Sequence, residues 1–285
     1  MQTQADQWWD SVQHKYADNQ GVRLHYALTG SGPLVVFVHG FPDYWGSWHH
    51  QMKGLSNEYS VAALDTRGYN LSDKPEGAEQ YDMVHLVNDV AAVIRAERQE
   101  KAVIVGHDWG GAIAWAFAAG HPEMTDKLII VNLPHIACLA RELMKENSAQ
   151  HKSSAYARLF QREDSHKALS AQMLVGIVNP ATDDLKERYL DAFQKSDLNS
   201  MMNYYRRNYP REPYQIPELP KIDVPVLQFH GLSDVALLSP ALNQTWDYLN
   251  KDWTLVTLPG VGHWAHQQAP DKVTETMRWW LKMRN

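Results

Sequence analysis

The sequence predicts an α/β protein: a mostly parallel sheet flanked by helices, with a helical cap inserted between two of its strands. Three observations predict it. Short continuous apolar runs alternate with amphipathic helical stretches through about residue 132, the pattern of a parallel sheet covered on both faces. The alternation stops between residues 134 and 220 and then resumes. One strand-to-helix junction carries Gly-x-Asp-x-Gly, at Gly106, Asp108 and Gly110, a spacing that suits a very tight turn.

Residues 15–18 and 22–28 are strand candidates on either side of Asn19-Gln20-Gly21, a hairpin turn. Ser31-Gly32-Pro33 breaks the chain, and Leu34-Val35-Val36-Phe37-Val38 reads as a strand buried on both faces. Residues 60–64 and 102–105 share that character. Between them, residues 82–98 place Val84, Val87, Val90, Ala91 and Ile94 on one helical face. Residues 127–131 form a further buried strand. Beyond the insertion, 224–229 reads as a strand, 240–249 as a helix, 253–258 as a strand and 271–283 as a helix. Inside it, 156–161, 168–174 and 184–193 are helix-like. Pro210, Pro213, Pro217 and Pro220 close the insertion in a passage that cannot continue a helix. A core domain is therefore expected at 1–133 and 221–285, and a helical cap at 134–220. There is no internal repeat.

Composition narrows the function. The chain has 285 residues, 44% hydrophobic and 21% charged, enough to bury a sizeable core. A net charge of -6 offers no basic excess to hold a phosphate backbone, so no nucleic-acid partner is expected. The lone Cys138 allows no internal disulfide and suits a reducing compartment. The start, MQTQADQWWDSVQHKY, lacks a basic and apolar leader, and Met1 speaks against one already removed. No stretch is long and apolar enough to span a membrane. A cytoplasmic location is expected, as monomer or homodimer. Most of the 11 Trp and 13 Tyr serve packing, the sharper alternative being an aromatic-lined pocket for an apolar substrate.

The junction Val103-Ile104-Val105-Gly106-His107-Asp108-Trp109-Gly110-Gly111 is the most informative segment. A buried strand ends at Gly106, and an alanine-rich helix starts near Gly110. The side chain between them is lifted to the carboxyl edge of the sheet, where open α/β sheets bind ligands. Asp is also a favoured helix N-cap, so the motif alone says little. Its place after a fully apolar strand makes Asp108 a nucleophile candidate.

Gly106-His107-Asp108-Trp109-Gly110-Gly111 resembles the nucleophile elbow of the epoxide hydrolases of the α/β-hydrolase fold, which are related to haloalkane dehalogenases. The resemblance runs from about residue 16 to 280. His39-Gly40-Phe41-Pro42 follows the strand at 34–38, and the resemblance makes the backbone N–H groups of Phe41 and Trp109 an oxyanion hole. It also implies a cis peptide before Pro42 and sets Trp109, Phe41 and Pro42 against the substrate. His39 is read as structural. The loop Asp65-Thr66-Arg67-Gly68-Tyr69-Asn70 is read likewise, with Arg67 supporting the site from behind.

A carboxylate nucleophile leaves an ester on the enzyme, so a base must activate water. His263, in Gly260-Val261-Gly262-His263-Trp264, lies between the last strand and the last helix. Asp234 lies just beyond the strand at 224–229. The chain order nucleophile, acid, histidine is the one this fold expects. Some relatives carry the acid one strand earlier, but Asn132 stands near that position here and cannot ionise. No metal and no organic cofactor are expected, since His49-His50 and the other histidines show no ligand spacing.

The cap offers phenols at Tyr156, Tyr189, Tyr204, Tyr205, Tyr209 and Tyr214, and spacing alone does not choose among them. The resemblance selects Tyr156, in Ser154-Ala155-Tyr156-Ala157-Arg158, and Tyr205, in Asn203-Tyr204-Tyr205-Arg206, with Tyr204 as the fallback. It implies hydrolysis of a small apolar epoxide by water to a vicinal diol, through an ester on Asp108. Haloalkane or haloacid dehalogenation by the same triad is the alternative. The halide-binding Asn of one dehalogenase pattern is replaced here by Phe41. Fluoroacetate-type enzymes share His-Gly-Phe-Pro but carry Arg where this chain has Trp109. A non-catalytic ligand-binding protein on the same fold is the third reading.

Overall fold

The computed structural model describes residues 4–284. Met1, on which one expectation about the chain's start rests, lies outside the described residues. Eight strands form one sheet: β1 Gln13–Asn19, β2 Val22–Gly30, β3 Leu34–Val38, β4 Ser60–Leu64, β5 Ala102–His107, β6 Thr125–Val131, β7 Val226–Gly231 and β8 Trp253–Leu258. Their order is β1-β2-β4-β3-β5-β6-β7-β8. β2 pairs antiparallel with β1 and with β4, and all later pairings are parallel. Every residue of β3, β5 and β7 is buried, which is why β3 and the body of β5 read as unbroken apolar runs, while β7 buries Gln228 and His230 among its apolar residues.

The helices are α1 Gln4–Ser11, α2 His49–Leu55, α3 Met83–Ala96, α4 Trp109–Gly120, α5 Ile136–Met144, α6 Ala149–Ser153, α7 Ala155–Phe160, α8 Ala171–Val178, α9 Asp183–Lys195, α10 Leu198–Asn208, α11 Ala265–Gln268 and α12 Pro270–Lys282. α3 buries Val87, Val90, Ala91 and Ile94 as its spacing predicts. Val84 does not join them and is 61% exposed, because it lies in the first turn, where the helix has only begun to cover the sheet. All the segments between β6 and β7 that are regular are helical.

Two expected helices differ. Residues 240–249 form two 3-10 turns, Ser239–Leu242 and Thr245–Tyr248, rather than one helix. Asn243 is extended and Gln244 takes a left-handed φ of 63° between them, so the hydrogen-bond ladder cannot run through. The helix expected at 168–174 begins instead at Ala171, because the Ser170 side chain accepts a hydrogen bond from the Met173 N–H and caps it there.

The sheet order places the site. After β3 the chain moves to β4 on one side, whereas β5 lies on the other side of β3. The loops leaving β3 and β5 therefore diverge at a topological switch point, which opens a crevice at the carboxyl ends of the strands. His39-Gly40-Phe41 leaves β3 there, and Asp108 leaves β5.

Candidate active site

Asp108 sits at the sharp turn from β5 into α4 with φ 51° and ψ -122°. A non-glycine residue held there stores about 1–3 kcal/mol of strain, which the surrounding packing must offset. Two glycines make the turn feasible. A Cβ on Gly110 would run into the carbonyl oxygens of Val38 and His39, and a Cβ on Gly40 would run into the Asp108 side chain. The β3 and β5 loops thus touch through bare backbone. That closeness lets the Phe41 N–H donate to Asp108 Oδ1 at 2.8 Å. Trp109 opens α4, so its N–H, like those of any first helical turn, has no carbonyl four residues back in its own helix. The Phe41–Pro42 peptide is cis.

The structure brings the sequence candidates on the core together. His263 Nε2 lies 3.5 Å from Asp108 Oδ2, and its Nδ1 lies 2.8 Å from Asp234 Oδ2. Asp234 is itself tied down: the Ala236 and Leu237 N–H groups donate to Oδ1 at 2.8 and 3.0 Å, and Asn132 Nδ2 donates to Oδ2 at 2.9 Å. Asn132 therefore holds Asp234 from the neighbouring strand end. Burial alone would raise the Asp234 pKa and lower that of His263. The attraction between them outweighs burial, holding Asp234 well below the usual carboxylate range. The two carboxylates push His263 up to about 10. Burial likewise opposes ionisation of Asp108, but its contacts with His263 and the Phe41 N–H leave it below its ordinary value. At neutral pH the resting site is Asp108 carboxylate, His263 imidazolium and Asp234 carboxylate.

His107, beside Asp108, donates from Nε2 to the His263 backbone carbonyl at 2.9 Å and fixes the His263 loop to β5. Burial lowers its pKa to about 3, so it stays a neutral donor. His39 is structural as expected: it donates to the Gly40 carbonyl and accepts from the Thr66 N–H. Arg67 is buried on Asp89, and its carbonyl accepts from Tyr204 Oη at 2.8 Å, so it braces the cap above the site.

A cavity of about 240 Å³ opens against Asp108, and both Tyr156 and Tyr205 line it. Burial, followed by nearby phenol or carboxylate charge, holds both phenols well above their ordinary pKa, so they remain protonated. Tyr204, the fallback, points away into its bond with Arg67 and does not line the cavity. Helical neighbours project about 100° apart, and here that separation sends one phenol to the cleft and the other to the cap's footing. Tyr209 lines the cavity too; it stood among six candidates with nothing in its spacing to single it out. Trp109 lines the cavity as expected, but Phe41 and Pro42 do not. The end of β3 presents its backbone to Asp108, so the Phe41 ring turns instead into a cluster with Phe160 and Tyr205, at 5.4 and 5.6 Å.

Among the described residues, one trio has donor atoms close enough to be weighed as a metal site: Asp43, His107 and His266, all buried and within 4.8 Å. His107 Nε2 is already committed to the His263 carbonyl, and Asp43 accepts from Tyr189 Oη at 2.8 Å. No group of the triad depends on an ion there.

This fold and this triad define a class. The profile of the alpha/beta hydrolase fold family matches residues 33–270, and the chain belongs to that family. Within it, the chain groups with the epoxide hydrolases. It is 34% identical to epoxide hydrolase 1 of Caenorhabditis elegans over 96% of this chain and 70% of the relative. It is 33% identical to the AB hydrolase superfamily protein YfhM of Bacillus subtilis, over 96% of this chain and 99% of that one. A crystal structure of the Bacillus megaterium epoxide hydrolase with an inhibitor superimposes with a TM-score of 0.88 at 32% identity, covering 94% of this chain and 100% of that one. No described helix is long and apolar enough to cross a membrane.

Proposed function

We propose that this chain adds water to an epoxide, giving a vicinal diol through an ester on Asp108. The observation that carries this reading is the placement of one carboxylate between three kinds of partner. Asp108 Oδ1 takes the Phe41 N–H at 2.8 Å, Oδ2 faces His263 at 3.5 Å, and the Tyr156 and Tyr205 phenols share its cavity.

The sequence of bonds follows. Asp108 attacks a ring carbon and the C–O bond of the epoxide breaks. One phenol, Tyr156 or Tyr205, gives its proton to the departing oxygen while the other donates a hydrogen bond. The resulting phenolate is costly in a buried site and recovers a proton from the His263 imidazolium. Alkylation has by then erased the Asp108 charge, one of the two that hold the proton on His263. The base is therefore freed only after the ester exists. Neutral His263, oriented by Asp234, takes a proton from water, and the hydroxide attacks Cγ of Asp108. The Phe41 and Trp109 N–H groups hold the oxyanion, and one such donor is worth about 3 kcal/mol. On collapse the ester C–O bond at Cγ breaks, the departing alkoxide takes the proton on His263, and the new Asp108 carboxyl proton passes back to His263, so the diol leaves and the carboxylate–imidazolium pair is restored.

Replacing His263 by Gln removes the base and keeps the nucleophile. The expected result is a stable adduct, with intact-protein mass raised by the mass of the epoxide. The mass unchanged, with an epoxide that the wild type turns over, contradicts the scheme. Halide release from haloalkanes faster than diol formation from any epoxide moves the assignment to a dehalogenase.

A further inference from the structure

The cavity at Asp108 is a one-sided slot, and its shape selects among epoxides. Its floor is one face of α4, where Trp109, Ala112, Ala116 and Ala119 line it. Ten residue steps from Trp109 to Ala119 span about 15 Å at 1.5 Å per residue. Ile136 and Leu139 of α5 form a wall, and Leu219 comes from the proline-rich segment that returns from the cap to β7. The far end reaches solvent: Ala116 and Ala119 are half-buried and Leu219 is 38% exposed. The near end is closed. There the rings of Phe41, Phe160 and Tyr205 pack on one another at 5.1 to 5.6 Å, and neither Phe lines the cavity.

The chemistry of the walls is as restrictive as their shape. Asp108 is the one lining side chain with a full charge, since His135, the other titratable group besides the phenols, has its pKa lowered to about 4 by burial and stays neutral. A charged tail would lose its hydration with no partner in the slot. Along the helix, any side chain larger than Ala at 116 or 119 would stand in the channel.

Resting on the proposed epoxide hydrolysis, we infer that the slot binds the tail of the substrate and that Ala116 and Ala119 set the tail length it takes. The substrate class is a terminal epoxide with a single uncharged, unbranched or flat aromatic tail. The ring lies at the closed end between Asp108 and the two phenols. Behind Tyr205 the packed Phe41 and Phe160 rings leave no room for a second large substituent.

The test compares 1,2-epoxydodecane with 1,2-epoxybutane in the wild type, Ala116→Trp and Ala119→Leu. The wild type is expected to favour the long substrate in kcat/KM by about tenfold or more, since each buried methylene adds to binding. Ala116→Trp should lower kcat/KM for the long epoxide at least about tenfold more than for the short one. Ala119→Leu, nearer solvent, should have a smaller effect in the same direction. Equal losses on both substrates, or none on either, overturn the inference. Binding of 1,2-dodecanediol by calorimetry keeps the slot testable without turnover. A wild type that binds the diol and an Ala116→Trp that does not support the slot even if no epoxide is hydrolysed, in which case the proposed activity fails alone. Equal diol binding by both proteins overturns the slot itself.

Discussion

At neutral pH His263 lies between two buried carboxylates, and its proton is the switch of the proposed reaction. Its pKa of about 10 is raised by Asp234 and Asp108 against the opposing effect of burial. A group raised on folding stabilises fully below its unfolded value of about 6.5, and that contribution disappears as pH rises towards 10. Asp234 has the opposite sign: its contribution is present above the ordinary carboxylate value and is lost as pH falls below it. NMR titration of the His263 ring should find it protonated through neutral pH in the free protein. Asp234→Asn should lower its pKa by about 1–3 units, the usual effect of removing an opposite charge in contact. A ring titrating near 6.5 in the wild type contradicts the assignment. Asp108, His263 and Asp234 were legible as candidates because each falls in a loop beyond a strand of the sheet, in the chain order nucleophile, acid, histidine. The work of Asn132 was not, because its bond to Asp234 joins residues 102 apart and depends on β6 and β7 being neighbours.

At the scale of elements, the loop after β4 is the footing of the cap. Tyr204 Oη donates to the Arg67 carbonyl at 2.8 Å, Tyr81 Oη to Ser200 Oγ at 2.7 Å, and the Asn70 N–H to Ser196 Oγ at 2.7 Å. Arg67 is held from beneath by Asp89, both being buried. Tyr204→Phe deletes one of these bonds and leaves the Arg67 carbonyl without that donor. Chemical denaturation should show a loss of about 1–3 kcal/mol, whereas Tyr205→Phe, which touches no such anchor, should lose less. The reverse order would mean that the two phenols have exchanged roles. Strands such as β3 and β5 were legible because they are short, buried and built largely from apolar runs. The cap helices were read less well. The start of α8 is set by one serine hydroxyl, and residues 240–249 are broken at Asn243 and Gln244; neither device changes the hydrophobic period from which a helix is inferred.

For the whole molecule, strand order turns these parts into a site. The reversal between β3 and β5 puts the Phe41 N–H and the proposed nucleophile face to face, β7 and the loop after β8 supply the proposed acid and base, and the cap brings two phenols into the same cavity. The division into sheet and inserted helices was legible in the chain's changing periodicity. The cavity was not, since its walls come from α4, α5, α7, α10 and the return segment, and only packing brings these together. The central claim is that water attacks the enzyme's own ester and not the epoxide. One turnover in ¹⁸O-water, with enzyme in excess over epoxide and the peptide containing Asp108 analysed by mass, tests this directly. The account predicts one heavy oxygen in the Asp108 carboxylate and an unlabelled diol. Label in the diol with none in Asp108 would contradict it.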